Sequence, residues 1–272
     1  MLIQFERKSL ASHIDFSGQG IHSGEESRVH ISPGDRGIWF HFGGDEISAT
    51  PENVSRTPRS TWLGPIRTIE HLMSAFAGLE ITDAEVAVEK SPELPILGGG
   101  SKEYVEGLIT AGIRPTGVVS SFSFFGRAHA QNGHARIAVS VGEGKWKYEY
   151  DTGQRWPGKQ VFEYKFEPST YQSEIAPART FALAEELESL MESGLGKGGN
   201  EQNTLILGSD GYLTPCLFPD EPPRHKILDC IGDLAFTGIP ARFLNVSATG
   251  SGHEMNVIVA KRIVELSRWE IK

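Results

Sequence analysis

The sequence predicts an α+β protein made of two similar halves, each a mainly antiparallel sheet covered by helices. Three observations predict it. Short strand-like runs punctuated by Gly and Pro occur beside amphipathic helical stretches, the order of strands then helices appears twice, and a Gly- and Pro-bearing break separates the two occurrences near Gly112.

In the first half, residues 29–31 (VHI) and 38–42 (IWFHF) are each closed by a turn signal and read as antiparallel strands. Residues 68–79 (TIEHLMSAFAGL) place Ile69, Leu72, Met73, Phe76 and Leu79 on a 3.6-residue stripe, with Thr68 as N-cap and Gly78 near the end. A helix with a buried face is expected there. A strand at 84–88, a Pro/Gly-rich turn at 92–100 and a helix at 103–111 follow. Residues 112–117 (GIRPTG) read as a linker, which sets the two domains at 1–114 and 115–272. Strands return across 118–167, as in 145–150 (KWKYEY). Then 181–191 (FALAEELESLM) reads as an amphipathic helix, 195–200 (LGKGGN) as a Gly-rich loop, and 224–236 (RHKILDCIGDLAF) as a helix broken by Gly238 and Pro240. No residue-level repeat or low-complexity tract is present.

Composition narrows the partners. Hydrophobic residues at 39% and charged residues at 22% fit an ordered globular chain rather than a disordered or collagenous one. With 26 Lys and Arg against 35 Asp and Glu, the net charge is −9, so there is no basic field for a phosphate backbone and nucleic acid is not an expected partner. Apolar runs stop well short of the ~18 residues that span a bilayer, and the start MLIQFERK lacks a signal-peptide core, so a cytoplasmic protein without membrane insertion is expected. No interface signal is visible, which points to a monomer. Cys216 and Cys230 lie in apolar contexts without a CxxC partner and read as buried free thiols.

The chemistry starts on residues 224–236. His225, Asp229 and Asp233 follow one another at four-residue steps and line one helical face, apart from Ile227, Leu228, Ile231 and Leu234. This is metal-ligand spacing, but spacing alone fits a solvated pair on a helix surface better. His41 and Asp45 have the same separation across a Gly43-Gly44 turn, where it brings nothing together, and they are given no role. Glu70 precedes His71 in the first turn of a helix, where the dipole by itself accounts for a carboxylate. The functional alternative makes His71 a third ligand beside His225 and Asp229, giving the three-ligand open site of a catalytic zinc, with Glu70 as the adjacent base.

Seven stretches together narrow the choice: 20–25 (GIHSGE), 68–79, 92–97 (PELPIL), 178–181 (ARTF), 194–203 (GLGKGGNEQN), 224–234 and Gly252-His253. In this order, across nearly the whole chain, the sequence resembles the UDP-3-O-acyl-N-acetylglucosamine deacetylase family. The resemblance implies two α+β domains packed helix layer to helix layer around the active site. It implies one catalytic Zn²⁺ per chain on His71, His225 and Asp229, with Glu70 as general base. The Thr180 hydroxyl and Lys226 would face the oxyanion, and His253, held protonated by Asp233, would serve as acid or electrostatic partner. Each of the last has an ordinary rival: Thr180 as a helix N-cap, Lys226 reaching solvent, His253 in a Gly-rich loop.

By the same resemblance the substrate is a UDP-linked acylated amino sugar, and removal of its N-acetyl group as acetate is the committed step of lipid A synthesis. Ile21 and His22 match a segment near the substrate. An apolar acyl passage is expected in an insert around 181–207, where Phe181, Leu183, Leu187, Leu195 and Leu205 are candidate lining, although the same residues would serve as ordinary core. Nucleotide contacts fall in the variable stretch 151–156 (DTGQRW), where none is assigned. The chain departs from the family at Gly98-Gly99-Gly100, where Asp-Gly-Ser is usual, and at Gly198-Gly199-Asn200, where Gly-Gly-Ser is usual. The first departure keeps open a zinc amidase on another N-acyl sugar. A non-catalytic relative is the remaining alternative.

Overall fold

Alternation decides the strands. In Glu26–Pro33 the buried positions are Ser27, Val29 and Ile31, and in Lys145–Asp151 they are Trp146 and Tyr148, so each strand turns one face to a core and one to water. The computed structural model, which describes residues 2–271, assembles these strands into two five-stranded sheets of identical connectivity. The first runs in space Ile14–Gln19, Glu26–Pro33, Ala84–Glu89, Ile38–Phe42, Asp45–Ser48. The second runs Ala128–Asn132, Ala135–Val141, Leu244–Thr249, Lys145–Asp151, Lys159–Lys165. In each, the third and fourth strands pair parallel and every other neighbour pairs antiparallel.

The segment expected as a linker is ordered sheet. Residues 113–117 open a single strand, Ile113–Phe124, that pairs antiparallel with Ile3–Leu10 and, farther along, with Ser267–Ile271. Pro115 is tolerated because this end of the strand is paired on one side only, opposite Lys8 beside an irregularity in the register.

Between the two large sheets lie the helices Glu70–Gly78 and Glu221–Ala235, packed against each other. Their approach is close because position 232 is glycine: a Cβ there would lie 2.1 Å from the Glu70 carbonyl oxygen. The first helix starts later than expected, since Thr68 is not its cap; the Thr68 hydroxyl donates to Glu93 at 3.1 Å and its φ is +56°. The second starts earlier, since Pro222 and Pro223 occupy its first turn, where a missing N–H is harmless. A continuous hydrophobic core runs through both halves.

Three further expectations are corrected. Residues 181–191 are not one amphipathic helix: strand Thr180–Leu183 pairs parallel with Thr204–Leu207, a turn Ala184–Glu186 follows, and only Leu187–Glu192 is helical. Not one residue of this stretch is fully buried, so its apolar pattern faces a cleft and not a core. The helix His253–Leu266, absent from the sequence reading, packs Val257, Val259, Ala260 and Ile263 into the core. Of the two cysteines Cys230 is buried, but Cys216 is exposed, in the irregular stretch before the long helix. Among the described residues, no helix is long and apolar enough to cross a membrane.

Candidate active site

The paired helices bring the predicted ligands together from both halves. His71 comes from the first turn of Glu70–Gly78, His225 and Asp229 from successive turns of Glu221–Ala235, and their donor atoms all lie within 4.8 Å of one another. Each imidazole spends its Nδ1 proton on a backbone carbonyl, His71 on Gly100 at 3.2 Å and His225 on Ala178 at 3.0 Å, which leaves Nε2 as a bare acceptor. Burial, reinforced by the neighbouring His225, pushes His71 down to about 3, and burial lowers His225 as well, so both rings are neutral. Burial opposes the Asp229 charge, yet the Lys226 ammonium beside it holds its carboxyl well below the carboxylate range. Asp229 Oδ1 is buried without a hydrogen-bond partner and stands 3.3 Å from His225 Nε2. Two acceptors facing each other with no proton between them, a third beside them, are what a cation satisfies; the residues fit a zinc site.

Of the two departures in Gly98-Gly99-Gly100, glycine for serine at 100 acquires a physical reason here, and Gly99 is glycine in the usual pattern as well. Gly99 has φ +88°, and a Cβ on it would lie 1.8 Å from the Asn203 carbonyl oxygen; one on Gly100 would lie 2.4 Å from that of Ala176. The second half thus presses directly on this loop. Gly99 accepts the Thr180 N–H at 2.8 Å, Ser101 donates its N–H to Ala176 at 2.7 Å, and its hydroxyl bonds the His71 carbonyl at 2.8 Å. The loop lies behind the imidazoles and does not line the cleft.

Beside the ligands is a second constellation. Glu70 Oε2 accepts the Thr61 N–H at 2.9 Å, and Oε1 faces His253 Nε2 at 3.9 Å. Burial raises Glu70 to about 8, with His253 pulling the other way and Asp233 and Asp229 adding to the rise. His253, the first residue of its helix and no loop histidine, donates Nδ1–H to Asp233 at 2.9 Å. Burial works against its charge, but the Asp233 and Asp229 carboxylates outweigh it and push His253 up to about 9. Asp233 also accepts from the Thr61 hydroxyl at 2.6 Å and from the Asn256 amide at 2.9 Å. Thr61 and Asn256 carry no sequence signal; only folding shows that Thr61 ties the Glu70 carboxylate to Asp233.

Lys226 reaches Asp229 Oδ2 at 2.9 Å and lies over the Phe181 ring, 5.5 Å from its centroid. Thr180 is a strand residue on the cleft wall and caps no helix. The cleft, about 780 Å³, runs from these groups past Ile21, His22, Phe181, Leu183 and Leu187 to Leu190, Met191 and Ile206, which the sequence reading did not single out. Leu195 falls outside its wall, and Leu205 is fully buried because strand alternation sends Thr204 and Ile206 to the cleft instead. Glu93 explains why distant motifs occur together: its carboxylate receives the N–H groups of His22 at 2.8 Å and Ser23 at 2.7 Å and the Thr68 hydroxyl. Arg179 and Glu221, a buried pair at 2.9 Å, likewise fasten the strand of Thr180 to the start of the long helix. His41 lies 2.6 Å from Glu85, near Glu46, but Arg36 already bonds both carboxylates.

Comparison with known proteins agrees with this geometry. A family model described as UDP-3-O-acyl N-acetylglycosamine deacetylase matches residues 7–265. Proteins named UDP-3-O-acyl-N-acetylglucosamine deacetylase are similar over nearly the whole chain. One from Nostoc sp. is 35% identical, covering 96% of this chain and 99% of its own length. One from Geotalea uraniireducens is 34% identical, covering 92% and 85%, and one from Chlamydia felis is 33% identical, covering 97% and 99%.

Proposed function

The chain belongs to the UDP-3-O-acyl-N-acetylglycosamine deacetylase family, and from that premise we propose how its own residues remove acetate from a UDP-linked acylated amino sugar in lipid A biosynthesis. The observation that carries the reading is the orphaned Asp229 oxygen among two neutral imidazoles, directly beside Glu70 and His253. His71, His225 and Asp229 hold one zinc ion. When bound, zinc would polarise the amide carbonyl and lower the pKa of a water far below its bulk value, to about 7.

Glu70 in its ionised form takes the proton of the attacking water; the Thr61 N–H keeps it in place, and His253, 3.9 Å away, favours that form against the burial that raises it. As the water oxygen bonds to the acetyl carbon, negative charge grows on the carbonyl oxygen, and the Thr180 hydroxyl and the Lys226 ammonium face it. Breakage of the C–N bond needs a proton on the departing nitrogen. His253 holds one at neutral pH because Asp233 keeps it charged. Acetate and the free amine leave. The acyl chain occupies the apolar wall from Ile21 and Phe181 to Leu190 and Met191.

The units are 1–114 and 115–272, so the ligand set spans both, and the protein is a cytoplasmic monomer on this reading. A different N-acyl sugar drew its motive from Gly98-Gly99-Gly100, but those residues do not line the cleft. The test measures metal content and acetate release together. Wild type should carry about one zinc per chain and deacetylate UDP-3-O-acyl-GlcNAc, while His225→Ala should be metal-poor and inactive. A wild type that binds zinc and leaves this substrate intact, or that binds no zinc, overturns the reading.

A further inference from the structure

A UDP-linked substrate, on which this inference rests, brings a diphosphate that must meet positive charge. Among the described residues, the cleft wall holds two Lys or Arg side chains, Lys226 and Arg59. Lys226 is committed to Asp229 at 2.9 Å, at the buried end. Arg59 stands at the mouth, with 53% of its side chain exposed and Nη1 only 3.1 Å from Glu186 Oε2. The two partners come from different halves, Arg59 from the segment leading into the Glu70–Gly78 helix and Glu186 from the turn Ala184–Glu186, so the pair reaches across the opening.

The backbone around Arg59 is held against its preference. Its φ is +64°, in the left-handed region that non-glycine residues seldom occupy. The His22 ring lies near the Arg59 backbone on the same wall, and its Nδ1 is buried without a hydrogen-bond partner. The strained residue and the unpartnered imidazole therefore face one space.

A carboxylate on a half-exposed arginine is a weak, exchangeable partner. A diphosphate offers the same guanidinium more charge and a bidentate edge. We infer that Arg59 recognises the diphosphate of the substrate and that Glu186 is its resting counter-ion, displaced as the substrate enters. Glu185 stays bonded to Arg155, so the turn keeps one anchor when Glu186 lets go. The cleft mouth is thus closed by a contact that the correct ligand itself replaces.

UDP and uridine are the probes, titrated into the metal-loaded protein. Arg59→Gln and Arg59→Gly, the latter free to adopt the native φ, should weaken UDP binding about tenfold or more and leave uridine unchanged. Glu186→Gln should tighten UDP binding by about two- to fivefold, and this gain should vanish in the Arg59→Gln/Glu186→Gln double variant. In turnover, loss of Arg59 should raise KM while kcat stays within about twofold. Equal UDP affinity with and without Arg59, or a Glu186→Gln gain that survives the loss of Arg59, overturns the inference. A wild type that releases acetate while the Arg59 variants match it overturns this inference alone; one that neither binds UDP nor releases acetate overturns the functional reading beneath it.

Discussion

The two halves share every strand connection and divide the chemistry unequally. Each runs two hairpin-linked strand pairs, a helix, a strand and a second helix. In each, the segment between the fourth strand and the first helix bends over the cleft: residues 49–69 in the first half, 166–220 in the second. The shorter segment brings Arg59 and Thr61, the longer one Thr180 and the apolar wall. The first helices supply Glu70 with His71 and His225 with Asp229, but only in the second half does the second helix open on a catalytic candidate, His253. Repetition of backbone therefore fixes where functional groups can be placed, and the side chains at those places are free to diverge.

The largest effect should come from the half that contributes least. Glu70→Ala should retain the metal and lose about 10²- to 10⁴-fold in kcat, since a positioned base supplies about that much. Metal analysis and single-turnover acetate release check it. Next, the ligand set should couple the halves: chelation should lower the melting temperature of the wild type, and His71→Ala and His225→Ala should each abolish that metal-dependent shift, because a ligand bound only by the folded state stabilises it. A shift that persists in His71→Ala would show that the second half holds the ion alone.

Asp233→Asn separates the second half's charge network from its fold. His253 is raised to about 9, so it is charged below that pH, and the stability it contributes is fully present below an unfolded value of about 6.5 and lost as pH rises through about 9. With Asn at 233 the nearest supporting charge is gone, and Asp229 is left to oppose burial. The alkaline limb of kcat/KM should then move down from about 9, visible in a pH profile. Gly232→Ala acts on the seam instead. In an exposed helix this change stabilises, but here the added carbon meets the Glu70 carbonyl, and a loss of about 1–3 kcal/mol, or about 2–10 °C in melting temperature, is expected. The smallest test is labelling: one thiol, Cys216, should react in the folded protein, since Cys230 is buried and its thiol is raised by burial.

Legibility followed the range of the forces involved. The alternation of KWKYEY and the stripe of TIEHLMSAFAGL are local, and both elements formed where their periodicity places them. The stretch 181–191 misled because its apolar residues face a cleft, and periodicity cannot tell a cleft from a core. Residues 113–117 read as a linker because Pro and Gly punctuate them, yet pairing with Ile3–Leu10 is non-local and overrides the punctuation. In the site, the ligands and Glu70 lie in motifs. Thr61, Asn256 and Arg59 do not, because each has a decisive partner more than 20 residues away, which no spacing rule sees.

The crossing strand has a consequence for biosynthesis. Lys8 and Ser9 meet Thr82 and Asp83 early, but the rest of Ile3–Leu10 has no sheet partner until its complement at Ile113–Phe124 has emerged, Leu10 waiting for Ile113. At about 5–20 residues per second, that leaves the first strand an open edge for roughly 5–20 s on the ribosome. Its run of charged Glu6, Arg7 and Lys8, directly after buried Ile3 and Phe5, keeps such an edge from pairing with a neighbouring nascent chain. The interval is one in which a chaperone, or a mutation replacing those charges, would decide the yield of the protein.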